Sequence, residues 1–240
     1  LKGIKSELVG YEEVTEATSF VTAILKKDEE VDVITEGTNA EIFTDQTPFY
    51  GETGGQVGDV GVIEGDGFLF EVWDTQRPDE NLITHIGKLK KGTLKVGDTV
   101  HLKVERNTRR ATEANHSATH LLNAALHAVL GDHVKQAGSL VNPERLRFDF
   151  THFSRIDEHE LDRIETLANE YIQANLPVKT SILDKEQAMK TGAHAVFDEK
   201  YADKVRVVQM GKVSAELCGG THVTRTGNIG VLKILSESAV

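Results

Sequence analysis

β-Branched and aromatic residues cluster in six short runs in the first part of the chain: Phe20–Leu25, Glu41–Thr44, Val60–Ile63, Phe68–Trp73, Leu82–Leu89 and Thr99–Val104. Each reads as a strand. Turn signals fall between them at Gly65-Asp66-Gly67, Lys91-Gly92 and Gly97-Asp98. Short, closely spaced strands with no helical pattern between them predict a small barrel or a sandwich. The pattern changes near Arg106. From there Ala111, Ala114, Ala118, Leu121, Leu122, Ala125 and Val129 recur at helical spacing up to Leu130, and Gly131 is suited to end the helix. A second helix is predicted over about residues 157–175, with Leu161, Ile164, Leu167, Ala168, Tyr171 and Ile172 on one stripe and Pro177 beyond its end.

Strand-like runs occupy Ser139–Val141, Leu146–Phe150, Val178–Leu183, Val205–Gln209 and Gly230–Leu235. Helices and strands that do not alternate regularly define an α+β class. The expected division is 1–105, a β-barrel subdomain, and 106–240, an α+β core.

Charge sharpens this division. Residues 1–105 hold 10 basic and 21 acidic residues, whereas residues 106–240 hold 17 of each. The whole net charge of −11 therefore sits in the first part. That argues against a strong general grip on nucleic acid, which needs basic stripes to displace counterions. No apolar stretch approaches the length of a membrane span. A single cysteine makes no internal disulfide, so a reducing, cytoplasmic setting is expected. The chain opens on Leu1 rather than Met, and both ends read as cuts from a longer polypeptide.

The candidate chemistry lies in two short motifs. His116-Ser-Ala-Thr-His120 falls within the first predicted helix. Residues four apart differ by about 40° around the axis and about 6 Å along it, so both imidazoles can meet one ion. Zinc proteases use this spacing with Glu after the first His. Ser117 stands in that place, which removes the base that chemistry needs. Far along the chain, Cys218-Gly-Gly-Thr-His222 repeats the four-residue spacing. Two nitrogens from a helix with a sulfur and a nitrogen from a glycine loop would complete a tetrahedron around one zinc ion. A lone histidine pair is commonly a surface accident, and a lone buried cysteine commonly packs as a small hydrophobe; the conjunction favours zinc. The other histidines (His85, His101, His127, His133, His152, His159 and His194) show no comparable pairing.

These motifs resemble the editing domain of bacterial-type alanyl-tRNA synthetases. Three more stretches match that family in its order: Thr47-Pro-Phe-Tyr-Gly-Glu-Thr-Gly-Gly-Gln-Val-Gly-Asp59, Gln136-Ala-Gly-Ser-Leu-Val141 and Leu146-Arg-Phe-Asp-Phe-Thr-His152. The resemblance implies a β-barrel packed on an α+β core that holds zinc through His116, His120, Cys218 and His222. It implies hydrolysis of tRNA(Ala) mischarged with serine or glycine, with the remaining domains of the parent synthetase as partners. A free-standing editing protein is the alternative within the class. A zinc module that only docks tRNA or a partner is the alternative outside it.

Such an activity answers a binding limit. A pocket for alanine rejects serine only modestly, often about 100-fold, and cannot exclude smaller glycine. A second site that binds the hydroxyl reverses the preference, because alanine leaves its polar groups unpaired at about 1–3 kcal/mol. Thr53-Gly54-Gly55-Gln56 is the candidate reader: the glycines allow close backbone approach, Thr53 offers a hydroxyl and Gln56 an amide. A plain tight turn is the competing reading. Through the resemblance, Gln136 is expected beside the metal, orienting water or the ester. Backbone N–H groups over Gly219, Gly220 and Thr221 are candidates to polarise the carbonyl. Arg109, Arg110, Arg145 and Arg147 are candidates for the phosphates of the acceptor end. Four protein ligands usually mark a closed structural zinc. Either one ligand is labile, or the ion anchors the pocket while a nearby water attacks.

Overall fold

The computed structural model describes residues 3–11, 14–190 and 204–238, so His194 lies outside the described residues. The chain divides into two compact units, residues 1–109 and 110–240.

In the first unit six antiparallel strands close on themselves. They are β1 (Glu16–Lys26), β2 (Asn39–Thr44), β3 (Gly61–Gly65), β4 (Phe68–Asp79), β5 (Leu82–Lys91) and β6 (Thr99–Val104). The ladder runs β6-β3-β4-β5-β2-β1 and returns from β1 to β6 through pairs from Phe20↔Thr99 to Glu16↔Lys103. This closure selects the barrel over the sandwich. Val100, Leu102 and Val104 alternate inward along β6, the period of two that a strand imposes. They join Val21, Ile24, Ile42, Ile63, Phe70 and Leu89 in one apolar core. Irregularities interrupt the β4–β5 ladder at three places, and a bulge interrupts β1 between Val21 and Ala23. Such insertions add the bend and twist that a small closed sheet needs.

The imidazole of His85 sits in this barrel fully buried. His85 Nδ1 lies 2.8 Å from the carbonyl of Ile42, an acceptor only, so Nδ1 carries the proton. Nε2 then accepts from the Thr47 hydroxyl at 2.7 Å, and Thr47 Oγ1 accepts from the Phe49 N–H at 3.1 Å. The neutral ring is satisfied at both nitrogens. Burial pushes its pKa down from 6.5 to about 4. The folded unit therefore binds fewer protons than the unfolded chain between those values. The resulting stability is fully present above pH 6.5 and lost as pH falls towards about 4. It amounts to about 3 kcal/mol. Urea denaturation followed by the fluorescence of Trp73, the chain's one tryptophan, is expected to show this loss relative to a His85→Gln variant. Parallel pH profiles for the two proteins would refute the assignment.

The long helix α1 (Arg106–Leu130) starts where Glu105 caps it, accepting from the N–H groups of Asn107 and Thr108 at 3.1 and 2.6 Å. It stops at Gly131, whose φ of 107° suits glycine. In the second unit the hairpin β7 (Lys135–Val141) and β8 (Leu146–Thr151) follows. Next comes α2 (Glu158–Gln173), opened by a reciprocal capping box between Asp157 and Glu160. Asn175, in the left-handed region at φ 49°, ends it two residues earlier than the sequence pattern implied. A three-stranded sheet completes the unit in the order β9 (Val178–Asp184), β10 (Lys204–Met210) and β11 (Ser214–Leu217), with a short α3 (Lys185–Lys190) after β9. Ala118, Leu121 and Ala125 of α1, Ile164, Ala168 and Ile172 of α2, and Val208 and Met210 of β10 form the core.

Some elements differ from the sequence expectation. Gly230–Leu235 joins no sheet. Its backbone is taken up by side chains of α2 instead: Asn169 accepts from the Leu232 N–H and donates to its carbonyl, and Glu165 accepts from the Ile234 N–H. Side chains that mimic a neighbouring strand leave no pattern in the segment they hold. β11 was not anticipated, because four residues are too short a run to read. Among the described residues no helix is long and apolar enough to cross a membrane.

Candidate metal centre

Two elements of the second unit build the site. α1 presents His116 and His120 on one face, both 6% exposed, with their rings stacked at 5.3 Å. The hairpin of β10 and β11 presents the rest. Strand alternation puts Ser214, Glu216 and Cys218 on the same side. The Cys218 N–H donates to the Arg206 carbonyl, which extends the ladder one residue past β11. The chain then turns through Gly219 and Gly220 to bring His222 back. The Arg206 guanidinium fixes this turn by donating to the carbonyls of Cys218 and Gly220 at 2.9 and 2.8 Å.

The donor atoms of His116, His120, Cys218 and His222 all lie within 4.8 Å of one another. Cys218 Sγ is 3.4 Å from His116 Nε2 and 3.3 Å from His222 Nε2. Donors at the corners of a tetrahedron around one small cation stand roughly 3.3–3.8 Å apart. His120 Nε2 is buried with no hydrogen-bond partner, an orphan that a cation would satisfy. The residues present therefore fit a divalent metal ion.

The surrounding groups favour a Cys218 thiolate and a neutral His222, whereas His120 holds a proton that an incoming ion would displace. Burial alone would push the Cys218 thiol up, but the His116 and His222 imidazoles overturn this and hold it well below its ordinary value. Burial pushes His222 down to about 3, keeping it neutral with a lone pair to give. Burial would also lower His120, yet the Glu216 carboxylate 2.7 Å from its Nδ1 holds it well above its usual value. Glu216 itself, which burial would raise, is held low by His120.

The remaining candidates are placed as follows. Gln136 is half-buried at the start of β7, opposite Phe150, where the ladder is irregular between Gln136 and Gly138. In the first unit, Thr53 and Gln56 exchange backbone hydrogen bonds of 3.2 and 3.0 Å around Gly54 and Gly55, whose φ values are 58° and 83°. That is a two-residue hairpin turn, which needs left-handed residues at both centres. Thr53 is exposed on it, whereas Gln56 is buried. Gly219 is exposed, with nothing within 4 Å of where a Cβ would stand, while Gly220 and Thr221 are buried. Arg110, Arg145 and Arg147 are exposed, the last paired with Asp149 at 3.1 Å.

Arg109 corrects an expectation. It is 1% exposed and spent on Asp59 and the carbonyls of Gly10 and Pro48, so it offers nothing to a phosphate. His133 and His152 correct another. Their Nε2 and Nδ1 are 2.8 Å apart, a pairing across the open end of the β7–β8 hairpin that linear spacing does not reveal. Sequence reasoning also missed Glu216 and Ser117, which contact His120 and His222 of the cluster from behind. The alternation Ser214, Glu216, Cys218 was the available signal for the first.

Two family models match the chain. One, described as tRNA synthetases class II (A), covers residues 2–108. The other, described as the threonyl and alanyl tRNA synthetase second additional domain, covers residues 205–240, which include β10, β11 and the Cys218–His222 loop. Barrel and donor cluster thus sit in a chain of the class II aminoacyl-tRNA synthetases. The chain is 53% identical over 239 residues to an alanine–tRNA ligase of Desulfosudis oleivorans, covering 100% of this chain and 27% of that protein. It is 54% identical over 236 residues to the alanine–tRNA ligase of Saccharophagus degradans, covering 98% and 27%. For that of Carboxydothermus hydrogenoformans the identity is 51% over 245 residues, covering 100% and 28%. The chain belongs to the alanyl-tRNA synthetase family. It spans 27–28% of the length of these curated relatives.

Proposed function

We propose that this chain is the proofreading part of an alanyl-tRNA synthetase, hydrolysing the ester of tRNA(Ala) charged with serine and also with glycine. The observation that carries the reading is the cluster of one thiol and three imidazoles in a chain of this family. Zinc suits that donor set. When bound, it would supply a fixed positive charge and Lewis acidity beside the reacting carbonyl.

The chain's own groups do the rest. Gln136 orients the ester or the attacking water; a neutral amide donates and accepts but is no general base. The backbone at Gly219 and Thr221 faces the carbonyl oxygen, while the Gly220 N–H donates to Cys218 Sγ at 3.4 Å and steadies the thiolate. Water adds to the carbonyl carbon, the bond to the ribose oxygen breaks, and that oxygen leaves with a proton. An aminoacyl ester is already reactive, so positioning supplies much of the rate. Thr53 reads the serine hydroxyl, and buried Gln56 holds its turn between Gly54 and Gly55. Arg147 meets a phosphate of the acceptor end. Most of the grip on tRNA belongs to other parts of the parent synthetase, working in the cytoplasm.

A closed set of four protein donors also suits a purely structural ion, and one assay separates the two. Seryl-tRNA(Ala) and alanyl-tRNA(Ala) are offered to the zinc-loaded chain. Serine release faster than alanine release by at least about 100-fold is expected, the size of the discrimination that the synthetic pocket lacks. Equal rates would overturn the proofreading reading. Release of neither by a zinc-loaded chain would favour the structural ion.

A further inference from the structure

Two of the cluster's histidines, His120 and His222, are each held from behind. His120 Nδ1 lies 2.7 Å from Glu216 Oε2, and Glu216 is buried. Its other oxygen accepts from Asn123 Nδ2 at 3.0 Å and from the Ser214 hydroxyl at 3.3 Å. All three neighbours of the carboxylate are therefore donors, and His120 presents N–H at Nδ1. Once an ion displaces the proton at Nε2, the lone pair of His120 lies there, at the buried atom with no partner. His222 is also held from behind, by a hydroxyl that accepts if His222 carries its proton at Nδ1. Its Nδ1 is 3.2 Å from Ser117 Oγ, and its Nε2 faces Cys218 Sγ. Ser117 is fully buried, and its oxygen also accepts from the Val223 N–H at 3.1 Å. The position between the paired histidines, where a zinc protease carries its base, here reaches across to a ligand 105 residues away.

We propose that Glu216 and Ser117 are positioning residues for the metal: Glu216 locks His120, and Ser117 locks His222, in the tautomer whose Nε2 faces the ion. The inference rests on the metal reading above. Charge supports it. A divalent cation bound by the Cys218 thiolate and three neutral imidazoles leaves one uncompensated positive charge in a buried site, which is costly. The Glu216 carboxylate brings the sum to zero. Outer groups of this kind commonly change metal affinity by about 10–100-fold.

Glu216→Gln is the sharpest variant. Gln nearly preserves shape, but one end of the amide is an NH2 group that must face a donor, either at His120 or at Asn123 and Ser214. Zinc affinity, measured by competition with a chromophoric chelator, is expected to fall about 10–100-fold in Glu216→Gln and about 10-fold in Ser117→Ala. Two-bond 1H–15N spectra of the histidine rings supply a readout that a merely structural role would not move. Zinc-loaded wild type is expected to show Nδ1–H at both His120 and His222, and metal-free Ser117→Ala a mixed His222. If wild type binds no zinc, the metal reading itself fails. If wild type binds zinc and both folded variants match its affinity within twofold, this inference fails alone. Should Glu216→Gln not fold, Ser117→Ala decides the same point at His222.

Discussion

Replacing Cys218 by Ala is expected to reduce zinc content from one ion per chain to near none and serine release from seryl-tRNA(Ala) by at least about 100-fold. Cys218 is the only one of the four donors that can carry a negative charge. Its sulfur touches the donor nitrogens of both His116 and His222 at ligand-to-ligand distance. Without it three imidazoles remain, and a divalent ion keeps only the outer carboxylate of Glu216 to balance it. Structural zinc sites of this type contribute apparent binding energies of about 10–16 kcal/mol, so losing one ligand of four is felt strongly. Cys218 also packs against the core of the second unit. Wild type stripped by a chelator is therefore the companion measurement: its activity is expected to match that of the variant and to return with zinc. If zinc disappears and serine release continues unchanged, the ion has no part in hydrolysis. If zinc stays, the four-donor assignment is wrong.

How far the sequence reveals this site depends on how each residue reaches it. His116 and His120 lie within one helix turn, and Cys218 and His222 within one loop, so local spacing exposes both pairs. The barrel strands were legible for the same reason, since Val100, Leu102 and Val104 carry their inward face in the order of residues. What spacing cannot show is a contact made by folding. Ser117 meets His222, His133 meets His152, and Asn169 holds Leu232, each between segments distant in the chain. Arg109 shows the opposite failure. Its sequence surroundings read as an exposed basic helix start, yet folding buries it against acceptors from three other segments.

That burial carries the largest expected effect on stability. Arg109→Met is expected to destabilise the first unit by about 3–5 kcal/mol, the usual cost of removing one partner from a buried ion pair. Arg109 and Asp59 are 1% and 4% exposed at their side chains. Arg109 Nε donates to both carboxylate oxygens at 2.9 and 3.0 Å, and Nη2 also pairs with Oδ2. Nη1 donates to the Gly10 carbonyl and Nη2 to the Pro48 carbonyl, each at 2.8 Å. Asp59 in turn accepts from the Tyr50 N–H at 2.6 Å. Many buried ion pairs can be exchanged for apolar residues at little cost. Here the exchange is expected to fail. In a Asp59→Leu/Arg109→Met double variant the carbonyls of Gly10 and Pro48 and the Tyr50 N–H lose these partners together, at about 1–3 kcal/mol for each left unsatisfied. The double variant is therefore expected to stay at least about 2 kcal/mol below wild type, by the same bookkeeping. Urea denaturation read through Trp73, which lies in β4 of this unit, measures both variants. A loss under about 1 kcal/mol in Arg109→Met would show that water replaces the guanidinium, and that the network does not hold the barrel's Gly10, Pro48 and Asp59 segments together.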